Sequence, residues 1–274
     1  MLDLTIVIPA KNEEKNLLGC IASIGKDFAK EIVLVDSGST DNTKKIAFEN
    51  DVRVIDFKWD GHFPKKRNWF LRNHTPETQW VLFLDADEYL TGEFKQELVK
   101  RLNENNNIVG YWLNYTIYFM GKRLKGGYPL TKLALFKVGE GEYEQIKEDR
   151  WSNLDMEIHE HPILSGEVGI IKSKIDHRDF RGVSHYITKH NEYSTWEASR
   201  YLLDISDLDK KSNWTWKQRI KYMLLDSIFI GPIYFMGSFF LMGGFKDGKI
   251  GFAFAMFKMN YFTQIHCKIK ELKA

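Results

Sequence analysis

Residues 79–90 read QWVLFLDADEYL, and this stretch decides the fold. Trp80–Leu84 is a short unbroken apolar run, the mark of a strand buried on both faces, as in a sheet covered by helices on either side. It ends abruptly in Asp85, Asp87 and Glu88, three acids that repel one another at such spacing. Similar runs stand upstream. Leu2–Pro9 and Glu31–Val35 read as strands, and Val52–Phe57 as a third. Between them lie helical spacings over 12–24, 42–50 and 64–73, with a capped amphipathic helix following over 91–102. Thr40 or Asp41 is placed to cap the second helix. The alternation β-α-β-α-β-α-β-α argues for an α/β fold with a mostly parallel central sheet and helices on both faces. Ligands in such sheets sit beyond the carboxyl ends of the strands.

Those ends carry PAKNEE after the first strand, DSGSTDNT after the second and DADE after the fourth. The second offers a carboxylate, hydroxyls and turn amides of the kind a nucleoside needs. In an extended Asp85-Ala86-Asp87 both carboxylates face one side, because a strand repeats every two residues. Two such carboxylates make an oxygen-rich site for Mg²⁺ or Mn²⁺, which would offset their repulsion and bridge a diphosphate. On this reading the ion makes the acid cluster tolerable.

The chain has 274 residues, 43% of them apolar, and 39 basic against 37 acidic residues. That size suits one large α/β domain with an appendage. The near balance of charge argues against a dedicated nucleic-acid binder. Cys20 and Cys267 suggest no disulfide framework and fit a reducing, cytoplasmic setting. Asp3 stands where a signal peptide would carry positive charge.

TIVIPAKNEEKNL, EIVLVDSGSTDNT and WVLFLDADEYL, in this order and spacing, resemble the family 2 glycosyltransferases of the GT-A fold. Residues 156–200 and 231–262 are similar to bacterial enzymes that extend the lipopolysaccharide core and related envelope glycans. The resemblance implies an inverting transfer from a nucleotide-diphosphate sugar. It also implies that Pro9, Ala10, Asn12 and Glu14 line the nucleotide pocket, that Asp36 and Ser39 hold base and ribose, and that Arg67, Asn68 and Ala86 face the nucleotide with Asp85. Asp85 and Asp87 would hold the metal, Asp87 more directly, with His177 as a third ligand. An inverting displacement needs a base for the acceptor hydroxyl. IHEHP at 158–162 offers His159, Glu160 and His161, and Glu160 is expected to be that base. The motif is not His-Glu-x-x-His, so a zinc protease is excluded.

Residues 214–274 carry nine Lys/Arg and three acids, and the 19 residues 227–245 are uncharged. Pro232 and four glycines oppose a straight spanning helix, while Trp214, Trp216 and the flanking basic residues suit a membrane interface. The expectation is peripheral association with the inner face of the cell membrane. The alternatives are a helical pair buried on the domain or an interface between copies in a homo-oligomer. The domains follow: 1–210 catalytic, divided into a nucleotide-sugar half (1–105) and an acceptor-side half (106–210), and 211–274 as an amphipathic helical region. The expected partners are a nucleotide-sugar donor, a lipid-linked glycan acceptor and the membrane surface, with no nucleic acid. Three rivals are transfer onto polyprenyl phosphate, a catalytically silent nucleotide-sugar binder, and a sugar nucleotidyltransferase. The last is disfavoured because PAKNEE, not a glycine-rich loop with arginine, follows the first strand.

Overall fold

In the computed structural model, strand β1 (Leu2–Ala10) is buried from Leu4 onward without a break. The cause is two-sided cover. Leu4, Ile6, Ile8 and Ala10 face one apolar core, while Val7 faces the other with Val33, Val35 and Phe83. β4 (Trp80–Phe83) repeats the pattern: Trp80 and Leu82 enter the first core, Val81 and Phe83 the second. The structure describes residues 1–104, 107–146, 154–157, 160–206 and 216–274, without the side chains of 217 and 218.

Two compact units account for these residues: Met1–Tyr118 with Leu130–Phe180, and Phe119–Pro129 with Arg181–Ala274. In the first, β3 (Arg53–Asp56), β2 (Ala29–Asp36), β1 and β4 lie side by side and parallel. The order continues through β8 (Leu130–Lys137), β6 (Ile108–Phe119), β11 (Glu167–His177) and β5 (Glu88–Tyr89). β8 runs antiparallel to both neighbours, β11 is parallel to β6, and β5 is antiparallel to β11. The sheet is therefore parallel from β3 to β4 and mixed beyond β4. β9 (Gly141–Tyr143) and β10 (Pro162–Leu164) form a separate two-stranded sheet. Four helices, α1 (Leu17–Ile24), α2 (Thr43–Glu49), α3 (Lys66–Asn73) and α4 (Gly92–Asn103), fill the crossovers. Thr91 caps α4 by accepting from the Phe94 amide at 3.1 Å. Helix α1 starts at Leu17, later than the apolar spacing from residue 12 suggests, because residues 12–16 are taken into the loop described below.

The second unit holds α5 (Gly182–Ser206), α6 (Trp216–Leu225), α7 (Ile230–Met236) and α8 (Gly248–Lys273), with β7 (Lys122–Arg123) in its short hairpin. Its core joins Ala198 and Tyr201 of α5 to Leu225, Ile230, Ile265 and Ile269 of the later helices. Helix α5, read from the sequence as acceptor-side, thus packs with the C-terminal helices. These helices and the segments joining them still expose large apolar side chains, among them Trp216, Phe229 and Leu241 at 67%, 67% and 88%. No described helix is long and apolar enough to cross a membrane alone. Arg219–Leu225 and Ile230–Leu241 pass together by length and composition, but they are bent by 116°.

Candidate active site

The register aligns Ala10 of β1 with Asp36 of β2, so the loops after these strands begin together. Hydrogen bonds then staple one loop to the other. The Asn12 amide donates to Ser39 Oγ at 2.8 Å, and Asn12 Oδ1 accepts from the Thr40 amide at 2.9 Å. The Glu14 amide donates to Asp41 Oδ2 at 3.1 Å, and Glu14 Oε2 accepts from Asn42 Nδ2 at 2.9 Å. Asn12 sits at φ 57°, a left-handed conformation asparagine tolerates better than most residues. Asn12, Glu14 and Ser39 thereby shape the frame. Asp36 is fully buried. Its Oδ2 accepts from the amides of Gly38 and Ser39 at 3.0 and 2.9 Å, while Oδ1 has no hydrogen-bond partner among the described residues. A buried carboxylate oxygen left unpaired is costly, and a donor from a ligand would satisfy it.

The acid cluster lies in a turn closed by the Glu88 amide on the Asp85 carbonyl at 2.9 Å, not in the extended backbone expected for Asp85-Ala86-Asp87. Its charge is met by protein cations. Asp85 Oδ1 accepts from Arg67 Nη2 at 2.9 Å and Oδ2 from Lys132 Nζ at 2.6 Å; Lys132 also reaches Glu88 Oε1 at 2.5 Å. Burial pushes the Asp85 carboxyl up, but Lys132 and Arg67 outweigh it and hold it well below the usual carboxylate range. Burial pushes Glu88 up, and there it prevails even against Lys132. Asp85 and Glu88 are thus offset by protein cations without an ion. Asp87 remains the candidate ligand. The antiparallel pairing of β11 with β5 sets His177 opposite Glu88, and His177 Nε2 comes 3.4 Å from Asp87 Oδ1. Among the described residues no three His, Cys, Asp or Glu are grouped to hold an ion. Asp87 and His177 are the two side chains that would hold an ion there, and an ion with so few protein ligands would take its remaining oxygens from phosphate and water. Beneath the turn, the buried thiol of Cys20 donates to the Asp85 carbonyl at 3.8 Å, and burial raises its pKa well above the ordinary value.

Helix α3 brings a second charged cluster inside. Lys65, Lys66 and Arg67 are all buried. The Glu157 carboxylate accepts from the Arg67 and Asn68 amides at 2.9 and 3.1 Å, capping the helix from a distant segment. Asn68, expected to face the nucleotide, is fully buried, and its carboxamide is taken up by the Tyr143 backbone, 2.8 Å in each direction. Arg67 reaches the site only through Asp85. Sequence reasoning missed Lys66, whose Nζ lies 3.4 Å from both the Ala10 carbonyl and Asp155 Oδ2; burial lowers its pKa. The signal was present as three consecutive basic residues at a helix start. Glu160 is buried and its Oε1 accepts from Lys65 Nζ at 3.0 Å. His159 lies outside the described residues.

Residues 5–147, more than half of the chain, match the model of a family described as glycosyl transferase family 2. A lipopolysaccharide core biosynthesis glycosyltransferase, LpsC, of Rhizobium meliloti is 28% identical over 93% of this chain and 87% of its own length. A glycosyltransferase of uncharacterized function from Rickettsia typhi is 25% identical over 94% and 85%. Among solved structures, glucosyl-3-phosphoglycerate synthase of Mycobacterium tuberculosis aligns with a TM-score of 0.33 and 25% identity, over 43% of this chain and 44% of that one.

Proposed function

The chain belongs to glycosyl transferase family 2, and from that premise we propose a metal-dependent, inverting transferase that moves a sugar from a nucleoside-diphosphate sugar to a hydroxyl of a lipid-linked envelope glycan. The observation that carries the donor reading is the buried, unpartnered Oδ1 of Asp36 at the end of β2, on the same sheet edge as Ala10 and the Asp85–Glu88 turn. Asp36 accepts a hydrogen bond from the nucleoside. Lys66, desolvated beside Ala10, faces the diphosphate. Asp87 and His177 hold the divalent ion, and Arg67 and Lys132 fix Asp85 and the turn that presents them. When bound, the ion supplies positive charge to the departing diphosphate. Glu160, held in place by Lys65, takes the acceptor proton. The similarity to a core glycosyltransferase supports a lipid-linked acceptor. The exposed apolar side chains of the second unit, interleaved with basic ones, support contact with a membrane surface.

Thermal unfolding with a panel of nucleoside diphosphates tests the donor site. Stabilisation of about 2.7 kcal/mol is expected at 100 times the dissociation constant. It should be greater with Mn²⁺, and the metal increment should vanish in Asp87→Asn. An increment that survives chelator removes the metal from the site.

A further inference from the structure

The second unit contains a cavity of about 330 Å³ lined by Lys122, Arg123, Lys125, Lys246, Asp247 and Gly248 among others. It is built rather than incidental. The Asp247 carboxylate accepts from the Lys125 amide at 2.9 Å and from the Gly126 amide at 3.0 Å, locking the hairpin to the turn before α8. The Gly127 amide donates to the Met242 carbonyl at 2.9 Å. A side chain at Gly126 would collide with the Gly243 carbonyl, so the two backbones meet directly. Asp247, the acid of the lining, gives its oxygens to backbone amides but keeps its charge, so the lining sets four cations against one carboxylate. The four cationic side chains have no acidic partner among the described residues. The cavity also lies where the 26-residue helix α8 begins, the positive end of its dipole. The turn that carries Lys246 into the lining also carries Leu241, Met242 and Phe245, which are 88%, 43% and 53% exposed.

Cations converging at a helix start are a site for phosphate. An adjoining exposed apolar rim is of no use to a freely soluble anion, and it suits an amphiphile whose tail lies in a bilayer. We propose that this cavity binds the phosphate headgroup of a membrane amphiphile. The inference rests on the membrane contact proposed above and gives that contact a specific anchoring point.

The test uses the full chain and its Arg123→Gln/Lys246→Gln variant, both residues being exposed and outside the donor site, after matched thermal unfolding confirms that both are folded. Each is sedimented with vesicles of phosphatidylcholine containing either phosphatidic acid, a phosphate monoester, or phosphatidylglycerol, a diester, at matched surface charge. The wild-type chain is expected to prefer phosphatidic acid by roughly tenfold, the worth of an extra charge-assisted contact. The variant should lose that preference. Equal wild-type binding to both vesicles overturns the site and leaves the membrane contact standing. Absence of binding to either overturns the membrane contact and the site with it. If inorganic pyrophosphate binds as tightly without vesicles, and depends on the same two residues, the ligand is a soluble phosphate and the lipid assignment falls.

Discussion

Glu160→Gln is expected to lower sugar transfer by roughly 10²–10⁴-fold, the usual worth of general-base catalysis, while leaving nucleoside diphosphate affinity close to wild type. The amide keeps the size of the carboxylate and still accepts a hydrogen bond from Lys65, but it cannot take the acceptor's proton. The buried ion pair complicates the reading, because removing one partner strands the other. Loss of a buried partner typically costs about 3–5 kcal/mol, enough to mimic a catalytic defect by unfolding. The double variant Lys65→Met/Glu160→Gln separates the two effects, since it removes the pair together. If stability recovers and transfer stays lost, Glu160 is the base. If transfer returns with stability, the pair is structural and the base is another group. His161→Ala should cost much less in either case.

The second large effect is on stability. Lys132→Met should lower the unfolding free energy by about 3 kcal/mol, the low end of the range for a broken buried pair, because the lysine side chain is still 30% exposed. The variant leaves Asp85 with Arg67 as its remaining strong partner, and Glu88, whose side chain is 1% exposed, without its nearest cation. Urea denaturation at neutral pH measures the change. A loss under about 1 kcal/mol would place Lys132 among ordinary surface pairs, and the acid turn would then owe its tolerance to something other than Lys132.

The strands and the capped helix α4 were legible because their signals are local. A run buried on two faces is continuously apolar, and Thr91 stands directly before its helix. The charge compensation was not legible, because its members meet only in the fold. Lys132 comes from β8, Arg67 from α3, and Glu157 from a segment after β9. Local reading therefore assigned to an ion the whole neutralising role, which Lys132 and Arg67 fill at Asp85 and Glu88. It also could not see that Asn68 anchors Tyr143, since an Asn-Tyr backbone contact across that distance leaves no periodic trace. The helical spacing over 12–24 misled in its first turn, where Asn12 and Glu14 find better partners in the loop after β2 than a helix would offer. The hairpin Phe119–Pro129 joined the C-terminal unit through glycine backbones, which carry no hydropathy signal.

The thiol of Cys20 offers an internal clock. It is wholly inaccessible, its hydrogen bond ends on Asp85, and its proton is held tightly by burial among acids. A disulfide reagent can modify it only when the fold opens around it, at α1 or at the turn carrying Asp85. Cys267 is the other cysteine and is exposed, so replacing it by serine leaves Cys20 as the single slow reporter. The labelling rate of that protein then counts spontaneous openings around this thiol, and any slowing by donor and ion measures how firmly they hold the turn above it.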